Sequence, residues 1–551
     1  MKRKLVLLIC MALLALTVLA DIKLKKQGTA TQLLVDGQPM LVLGGELSNS
    51  AATSLEDIDQ VMPRMKALGL NTVFVPAYWE FIEPTEGKFD FALVDRVIEK
   101  ARENDLKVIF LWFGAWKNSM SCYAPLWFKQ DAKRFPRSMT ETGKPLEIAS
   151  AFSDNVLQAD KKAFSALMRH IADTDRAEQT VIMVQVENEI GMLESARDYS
   201  PMAEKAWKSA VPMELLKALK IKKKGTWAEI FGTDLYAQEK FQAYYYAKYV
   251  EQLCLAAKEI YDIPLYVNAA MNSRGRKPGE YPSAGPLAHL MEIWKCAAPH
   301  IEIYAPDIYD TGFKDWVALY KRPDNPFFTP ETQCSENSGV RALYAFGEVD
   351  ALGFSPFAID QASTAAAQEV TRAYAMVKNL QPLLLPRQGR GGTWGLLFDQ
   401  ADKERIITDE DVVMTCRHFF TLPWDPRATD GSAWPEGGAI VVKLAKHEYL
   451  IAGNGVVVTF QTPEEKAQEG NVVRGEDGFV LQGEAAANQS KTAGRFKGKR
   501  LGIGFVDQVS VDEDGTLRYI RRENGDQDHQ GRHARISCGD YKILHVKLYE
   551  Y

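Results

Sequence analysis

The sequence predicts an α/β protein: a (β/α)8 TIM barrel followed by a C-terminal all-β sandwich. Three observations predict it. Short apolar runs alternate with helical periodicities from residue 40 to about residue 382, and the runs number eight. They are continuous rather than alternating, which means burial on both faces, as in a parallel sheet. After Pro386 the texture changes to short strands separated by turns such as Gly453-Asn454-Gly455, Glu513-Asp514-Gly515 and Asn524-Gly525, the pattern of a sandwich. A doubly wound sheet would carry a Gly-rich first turn, and none is present.

The elements follow in order. Met40–Gly44 is the first strand. Thr53 and Glu56 form a capping box ahead of Ile58, Val61, Met62, Met65 and Leu68, a helix that stops at Gly69. Asn71–Pro76 is the second strand, Leu93, Val94, Val97, Ile98 and Ala101 mark the next helix, and Val108–Phe113 is the third strand. Val181–Val186, Pro264–Val267, Ile301–Tyr304, Pro326–Thr329 and Ala351–Phe354 complete the set, with helices notably over 160–171 and 237–261. The barrel is assigned to 21–386, with a long insertion at 191–235, and the sandwich to 387–551.

Composition narrows the function. A chain of 551 residues with 46% hydrophobic and 25% charged residues is an ordinary globular protein. Sixty-six basic residues against 72 acidic ones, net −6, provide no field for a nucleic-acid backbone. Lys2-Arg3-Lys4, an apolar run from Leu5 to Leu19 and the small residue Ala20 read as a signal peptide over 1–20, too short to span a bilayer. Its removal takes the net charge from −6 to −9. The expectation is a secreted or periplasmic bacterial protein with no transmembrane segment after cleavage.

Six widely scattered cysteines remain (Cys122, Cys254, Cys296, Cys334, Cys416 and Cys538), read as buried thiols rather than a disulfide scaffold or zinc site. Eight histidines show no ligand spacing, so neither metal nor cofactor is expected. Lys220–Lys224 reads as a solvated face, Gly389–Gly392 as a linker, and Asn488-Gln489-Ser490 as a glycosylation acceptor only in a eukaryotic secretory route.

In a barrel, chemistry sits just past the C-terminal ends of the strands. The fourth strand runs into Glu187-Asn188-Glu189, and the seventh ends at Glu331. Two carboxyl groups converging from almost opposite strands are the equipment for glycosidic bond cleavage. Glu187 and Glu189 share a face by period-two alternation, so spacing alone leaves both as candidates for the acid.

Val-Gln-Val-Glu-Asn-Glu-Ile-Gly (184–191), Gly69-Leu70-Asn71-Thr72, Trp79-Glu80-Phe81-Ile82-Glu83-Pro84 and Gly87-Lys88-Phe89-Asp90-Phe91 resemble glycoside hydrolase family 35, the β-galactosidases of the retaining TIM-barrel clan. The tail from about residue 388 looks like the β-rich extension of one bacterial branch. The resemblance implies Glu189 as acid/base, Glu331 as nucleophile and Asn188 as the partner of the sugar 2-hydroxyl.

Two departures touch the substrate. Pro76-Ala77-Tyr78-Trp79 stands where members have Tyr-Val-Pro-Trp. Trp116-Lys117-Asn118 stands near their Ala-Glu-Trp, so Lys117 and Asn118 must replace a sugar-binding carboxylate. Tyr78, Trp79, Trp116 and Trp127 are candidate sugar platforms. Tyr309 or Asp307 is a candidate to hold the nucleophile, and Asp360 reads as a helix N-cap. The implied activity is an exo-acting retaining β-glycosidase on oligo- or polysaccharide. The alternatives are another β-sugar (glucosaminide or arabinopyranoside) or an inactive carbohydrate-binding barrel.

Overall fold

The computed structural model describes residues 22–422, 425–469, 498–524 and 533–551. The signal peptide, Asn488-Gln489-Ser490 and Gly525 lie outside these residues. Eight parallel strands form one sheet: β1 (Val42–Glu46), β2 (Thr72–Tyr78), β3 (Lys107–Phe113), β4 (Val181–Gln185), β5 (Leu265–Ala270), β6 (Ile303–Ile308), β7 (Glu331–Thr332) and β8 (Gly353–Phe354). β8 lies beside β1, and the rest follow in chain order. A bridge between Thr329 and Phe354 joins the seventh segment to the eighth, closing the barrel. Phe327 and Thr329 already bond to the eighth segment through Leu352 and Gly353, whereas pairing with the sixth strand starts only at Glu331, just past Pro330, which lacks the N–H that a ladder needs.

A main helix follows each strand: α1 (Leu55–Ala67), α2 (Ala92–Glu103), α3 (Asp154–Asp175), α4 (Leu235–Ile260), α5 (Met291–Ala297), α6 (Phe313–Tyr320), α7 (Ser338–Glu348) and α8 (Thr364–Leu384). α1 buries Ile58, Val61, Met62 and Met65. Its cap is one residue later than the Thr53 box: the Ser54 hydroxyl accepts from the Asp57 N–H at 3.1 Å, and Thr53 instead donates to the Ser50 carbonyl. Asp360 is not a helix cap. Ser363 caps α8, and Asp360 accepts from the Ser48 N–H and hydroxyl at 2.7 and 2.8 Å, pinning the β1–α1 loop. The 191–235 insertion holds three short helices. A hairpin, Arg137–Met139 with Pro145–Ala149, sits in the β3–α3 connection, which the sequence pattern did not reveal.

Three antiparallel strands from Lys23 to Met40 precede the barrel, and Leu33 and Val35 join its core. They meet the linker at two glycines: a Cβ on Gly28 would stand 2.0 Å from the Gly389 carbonyl oxygen, and one on Gly389 equally close to the Gln27 carbonyl. Only glycines fit that crossing.

The C-terminal region is a sandwich of β9 (Thr393–Phe398), β10 (Glu404–Asp409), β11 (Val412–His418), β12 (Gly437–Ala445), β13 (Glu448–Asn454), β14 (Val456–Gln461), β15 (Leu501–Val511), β16 (Leu517–Arg522), β17 (His533–Ile536) and β18 (Lys542–Glu550). The six-stranded sheet runs β9-β12-β13-β18-β15-β16 and the four-stranded sheet β10-β11-β14-β17. In the larger sheet, Val441, Tyr449 and Ile451 face the smaller one, while Ile440, Val442, Leu450 and Ala452 join the barrel core. β12 and β13 are therefore buried on both faces, which explains their unbroken apolar runs. α7 is squeezed between barrel and sheet. A Cβ on its Gly339 would lie 2.4 Å from the Tyr541 hydroxyl oxygen, and one on Gly347 3.2 Å from the Gly395 Cα.

Of the cysteines, Cys254 and Cys416 are buried, while Cys122 is exposed and the other three lie between, which corrects the expectation of six buried thiols. No helix among the described residues is long and apolar enough to cross a membrane. Arg341 on α7 makes a two-pronged pair with Glu436 at 2.6 and 2.8 Å across this interface, with both side chains mostly covered. Arg341→Ala leaves a largely desolvated carboxylate unpaired, so urea unfolding should show a loss of about 2–3 kcal/mol. A change within about 0.5 kcal/mol would mean the interface is held by apolar contact alone.

Candidate active site

The polar side chains of the barrel mouth come from nearly every strand end. Glu46 closes β1, Lys117 follows β3, Glu187, Asn188 and Glu189 follow β4, Asn268 lies in β5, Asp307 and Tyr309 on and after β6, and Glu331 opens β7. The fourth strand ends at Gln185 because the backbone turns: Glu187 and Glu189 have φ of +60° and +45°, and Asn118 and Ser119, across from them, have +52° and +59°. Such strain in non-glycine residues collects where the surroundings hold a special geometry.

That turn separates the two rival glutamates. Glu187 points back into the barrel wall, where it accepts from the Trp116 N–H at 2.8 Å and contacts Asp160 of α3. Asp160 in turn accepts from the Trp112 indole and the Tyr249 hydroxyl at 2.8 and 2.7 Å. Burial pushes both carboxyls up, Asp160 pushes Glu187 further, and the pair pins the Trp116 turn. The alternation that would put Glu187 beside Glu189 fails because neither residue is in the strand.

Glu189 faces the mouth. Its carboxyl oxygen and those of Asp307 and Glu331 lie within 4.8 Å of one another. Glu331 accepts from the Asn188 amide at 3.1 Å, the Asn268 amide at 3.2 Å and the Tyr309 hydroxyl at 2.7 Å. Asn268 is the hub: its amide also donates to Asp307 at 2.7 Å, and its oxygen accepts from the Glu189 N–H at 2.9 Å. Asn188 keeps its own carbonyl oxygen buried and unpartnered.

Charge is crowded here. Burial first, and the Glu331 charge second, raise Glu189 to about 7, against the pull of Lys117. Burial and the charges of Glu331, Glu189 and Glu46 hold Asp307 well above the usual carboxylate range. Burial lowers Lys117, but Glu331, Glu189, Glu46 and Asp307 more than offset it. The three clustered carboxyls are near enough for a cation by distance alone. Three donors already aimed at Glu331 and an ammonium facing the same group suit a proton-sharing network instead.

The other sequence candidates fall differently. Trp79 and Trp116 are fully buried. Trp79 donates to Glu83 at 2.9 Å, and Trp116 packs edge-on against Tyr246 and Tyr249, so neither offers a face to a sugar. Tyr78 is buried with its hydroxyl committed to the Asn49 carbonyl at 2.8 Å. Trp127 is held by the Glu83 carbonyl and by Trp79 and Phe135. Tyr78, Trp79 and Trp116 leave the set of sugar platforms, while Trp127 keeps part of its surface open. Asn118 is exposed at the rim, Lys117 sits inside, and Tyr309, at 40% exposure, is the open aromatic. Sequence reading missed Glu46 and Asn268. Both are strand-end polar residues in apolar runs, which was the available signal.

Residues 50–239 match the family model Glyco_hydro_42, described as beta-galactosidase, and residues 370–535 match DUF5597, a domain of unknown function. The first match includes Lys117, Asn188 and Glu189 and stops before Asn268, Asp307 and Glu331. It supports a glycoside hydrolase; the narrower family 35 is not what it names. A human relative, Beta-galactosidase-1-like protein 3, is 28% identical over 187 residues, covering 33% of this chain and 26% of that protein. The chain thus spans about a quarter of that relative's length. Similar solved structures include a beta-galactosidase from Marinomonas ef1 (14% identity, TM-score 0.46, covering 61% of this chain and 59% of that one). Others are a beta-galactosidase from Halorubrum lacusprofundi (17%, 0.46, 61% and 58%) and a beta-mannanase from Mytilus edulis (13%, 0.40, 65% and 97%).

The raised Glu189 carries a sign for stability. Between its ordinary value of 4.5 and about 7 the folded protein holds a proton that the unfolded chain has released. Stability therefore falls as pH rises through that window. The melting temperature should drop from pH 5 to pH 7.5, and Glu189→Gln should flatten that drop. A slope unchanged in the variant would show that Glu189 is not the group responsible.

Proposed function

We propose that this glycoside hydrolase is an exo-acting, retaining β-glycosidase of the family 35 type that removes terminal β-galactose from oligo- or polysaccharides. The observation that carries this reading is the approach of the Glu189 and Glu331 oxygens to within 4.8 Å. Retention needs carboxyls about 5–5.5 Å apart, whereas inversion needs about 6.5–9.5 Å to admit a water.

In the first step Glu331 attacks the anomeric carbon while Glu189 gives its proton to the departing oxygen. In the second, Glu189 takes a proton from water, the water oxygen bonds to the anomeric carbon, and Glu331 leaves. Tyr309, Asn188 and Asn268 hold Glu331 by three hydrogen bonds, which fix the direction in which it attacks. The unpartnered Asn188 oxygen is free to accept the sugar 2-hydroxyl. Exposures of only 7% for Glu189 and 3% for Glu331 fit a pocket that receives a chain end better than a groove that a chain crosses. The Met1–Ala20 leader supports secretion or periplasmic placement.

Lys117, set inside the pocket where the resemblance would place a carboxylate, favours a second reading in which a related β-sugar, a glucosaminide or arabinopyranoside, is preferred. A panel of aryl β-glycosides decides between them. The galactoside should be hydrolysed fastest, with the β-anomer of the sugar appearing first by NMR. A tenfold preference for another sugar supports the second reading, and no hydrolysis of any leaves a carbohydrate-binding barrel.

Glu331→Gln should lower kcat by more than about a thousandfold on every substrate. Glu189→Gln should lose about a hundredfold or more with an alkyl leaving group, and far less with dinitrophenol, which departs without a proton. Equal losses on both leaving groups would remove Glu189 from the acid role. Since the first step needs Glu189 protonated, kcat/KM should fall above about pH 7.

A further inference from the structure

Glu46 is a carboxyl of the mouth that neither the motifs nor the reaction above employs. It ends β1, where its N–H donates to the Pro356 carbonyl at 2.9 Å and its backbone pairs with Phe74 and bridges to Phe357. The backbone is thus held from both sides. The side chain is fully buried, and among the described residues none donates a hydrogen bond to either of its oxygens. Its carboxyl is in hydrogen-bond contact with that of Glu331.

Two ionised carboxylates in contact, one of them without a single donor, are not sustainable away from water. A proton between them turns the repulsion into a hydrogen bond. Glu331 has room for it: its Oε1 accepts from two amides and its Oε2 only from Tyr309, and each carboxylate oxygen accepts two. We propose that Glu46 is a positioning residue for Glu331: its carboxylic acid donates a hydrogen bond to the Glu331 carboxylate and, with Asn188, Asn268 and Tyr309, aims the nucleophile.

The groups facing Glu46 agree with this count. They are Glu331 of β7, Glu189 after β4, Lys117 after β3, and Tyr266 of β5, Asp307 of β6 and Tyr309 after it, which sense its charge in turn. One ammonium balances one carboxylate, and the nucleophile must be that carboxylate. Burial and the Glu331 charge push Glu46 in the same direction.

The assignment rests on the retaining mechanism above, so the test has one arm that needs turnover and one that does not. In substrate-free protein at pH 7, the infrared difference between wild type and Glu46→Gln should contain a carboxylic-acid carbonyl band that the variant lacks. Absence of the band would show an ionised Glu46 and overturn the proposal, whether or not the enzyme cleaves any glycoside. With an aryl glycoside that wild type hydrolyses, Glu46→Gln, whose amide still donates, should keep kcat within about fivefold. Glu46→Ala should lose about fiftyfold or more in kcat, with KM little changed. The fall of kcat/KM above about pH 7, set by Glu189, should not move in Glu46→Gln. A Gln variant as impaired as the Ala variant, a loss confined to KM, or a shift of that limb downward by half a unit would each refute it. If Glu46→Ala fails to fold, the Gln variant still decides through its kcat and its pH limb. Wild type inert on every glycoside, with the band present, would sink the glycosidase reading and the aiming role while leaving the shared proton.

Discussion

Four buried carboxyls gathered round one ammonium set the terms for the rest of this molecule. Glu46, Glu189, Asp307 and Glu331 come from four strands and meet Lys117 in a space with almost no solvent. At most one of them is balanced by the lysine, so the others hold protons or share them. Burial and mutual charge push Glu46, Glu189 and Asp307 upward together, the kind of environment that gives paired carboxyls different roles. The cost is that every group must be held where its neighbours need it.

The scaffold meets that demand in layers. Asn268 ties Glu189, Asp307 and Glu331 together through one side-chain amide. Behind them, the Glu187–Asp160 pair fixes the Trp116 turn and thereby the loop that carries Lys117. The left-handed backbone at Glu187 and Glu189 is bearable because both sides of the turn are hydrogen-bonded to the β3 loop, through Asn118 and Ser119. A residue that looks like a rival acid thus serves by orienting the real candidate.

The C-terminal sandwich belongs to this support. β7 is two residues long, too short to be stiff by its own ladder, and α7, which follows it, is clamped between barrel and sheet. Arg341–Glu436 and Arg405–Glu348 cross that interface, and glycines 339, 347 and 395 let the backbones approach. Buttressing the segment that carries Glu331 accounts for the two-sided burial of β12 and β13.

The alternation of continuous apolar runs with helical periodicity was enough to announce eight strands, their helices and the change to β structure after Pro386. Burial on both faces leaves that mark in composition. Strand-end position likewise marked Glu189 and Glu331 as residues to watch. Three other matters were decided only in three dimensions. Whether Glu187 or Glu189 faces the mouth depends on two positive φ angles that spacing does not encode. Trp79 and Trp116 looked like sugar platforms until packing put them in the core, because an aromatic in a loop motif reads the same whether its face is open or covered. Glu46 and Asn268, more than two hundred residues apart, acquire meaning only when barrel closure brings them to Glu331. Local sequence determines which element a residue joins. The direction of a side chain, and the charges it meets there, are set by chain segments remote from it, and in this barrel those charges decide the chemistry.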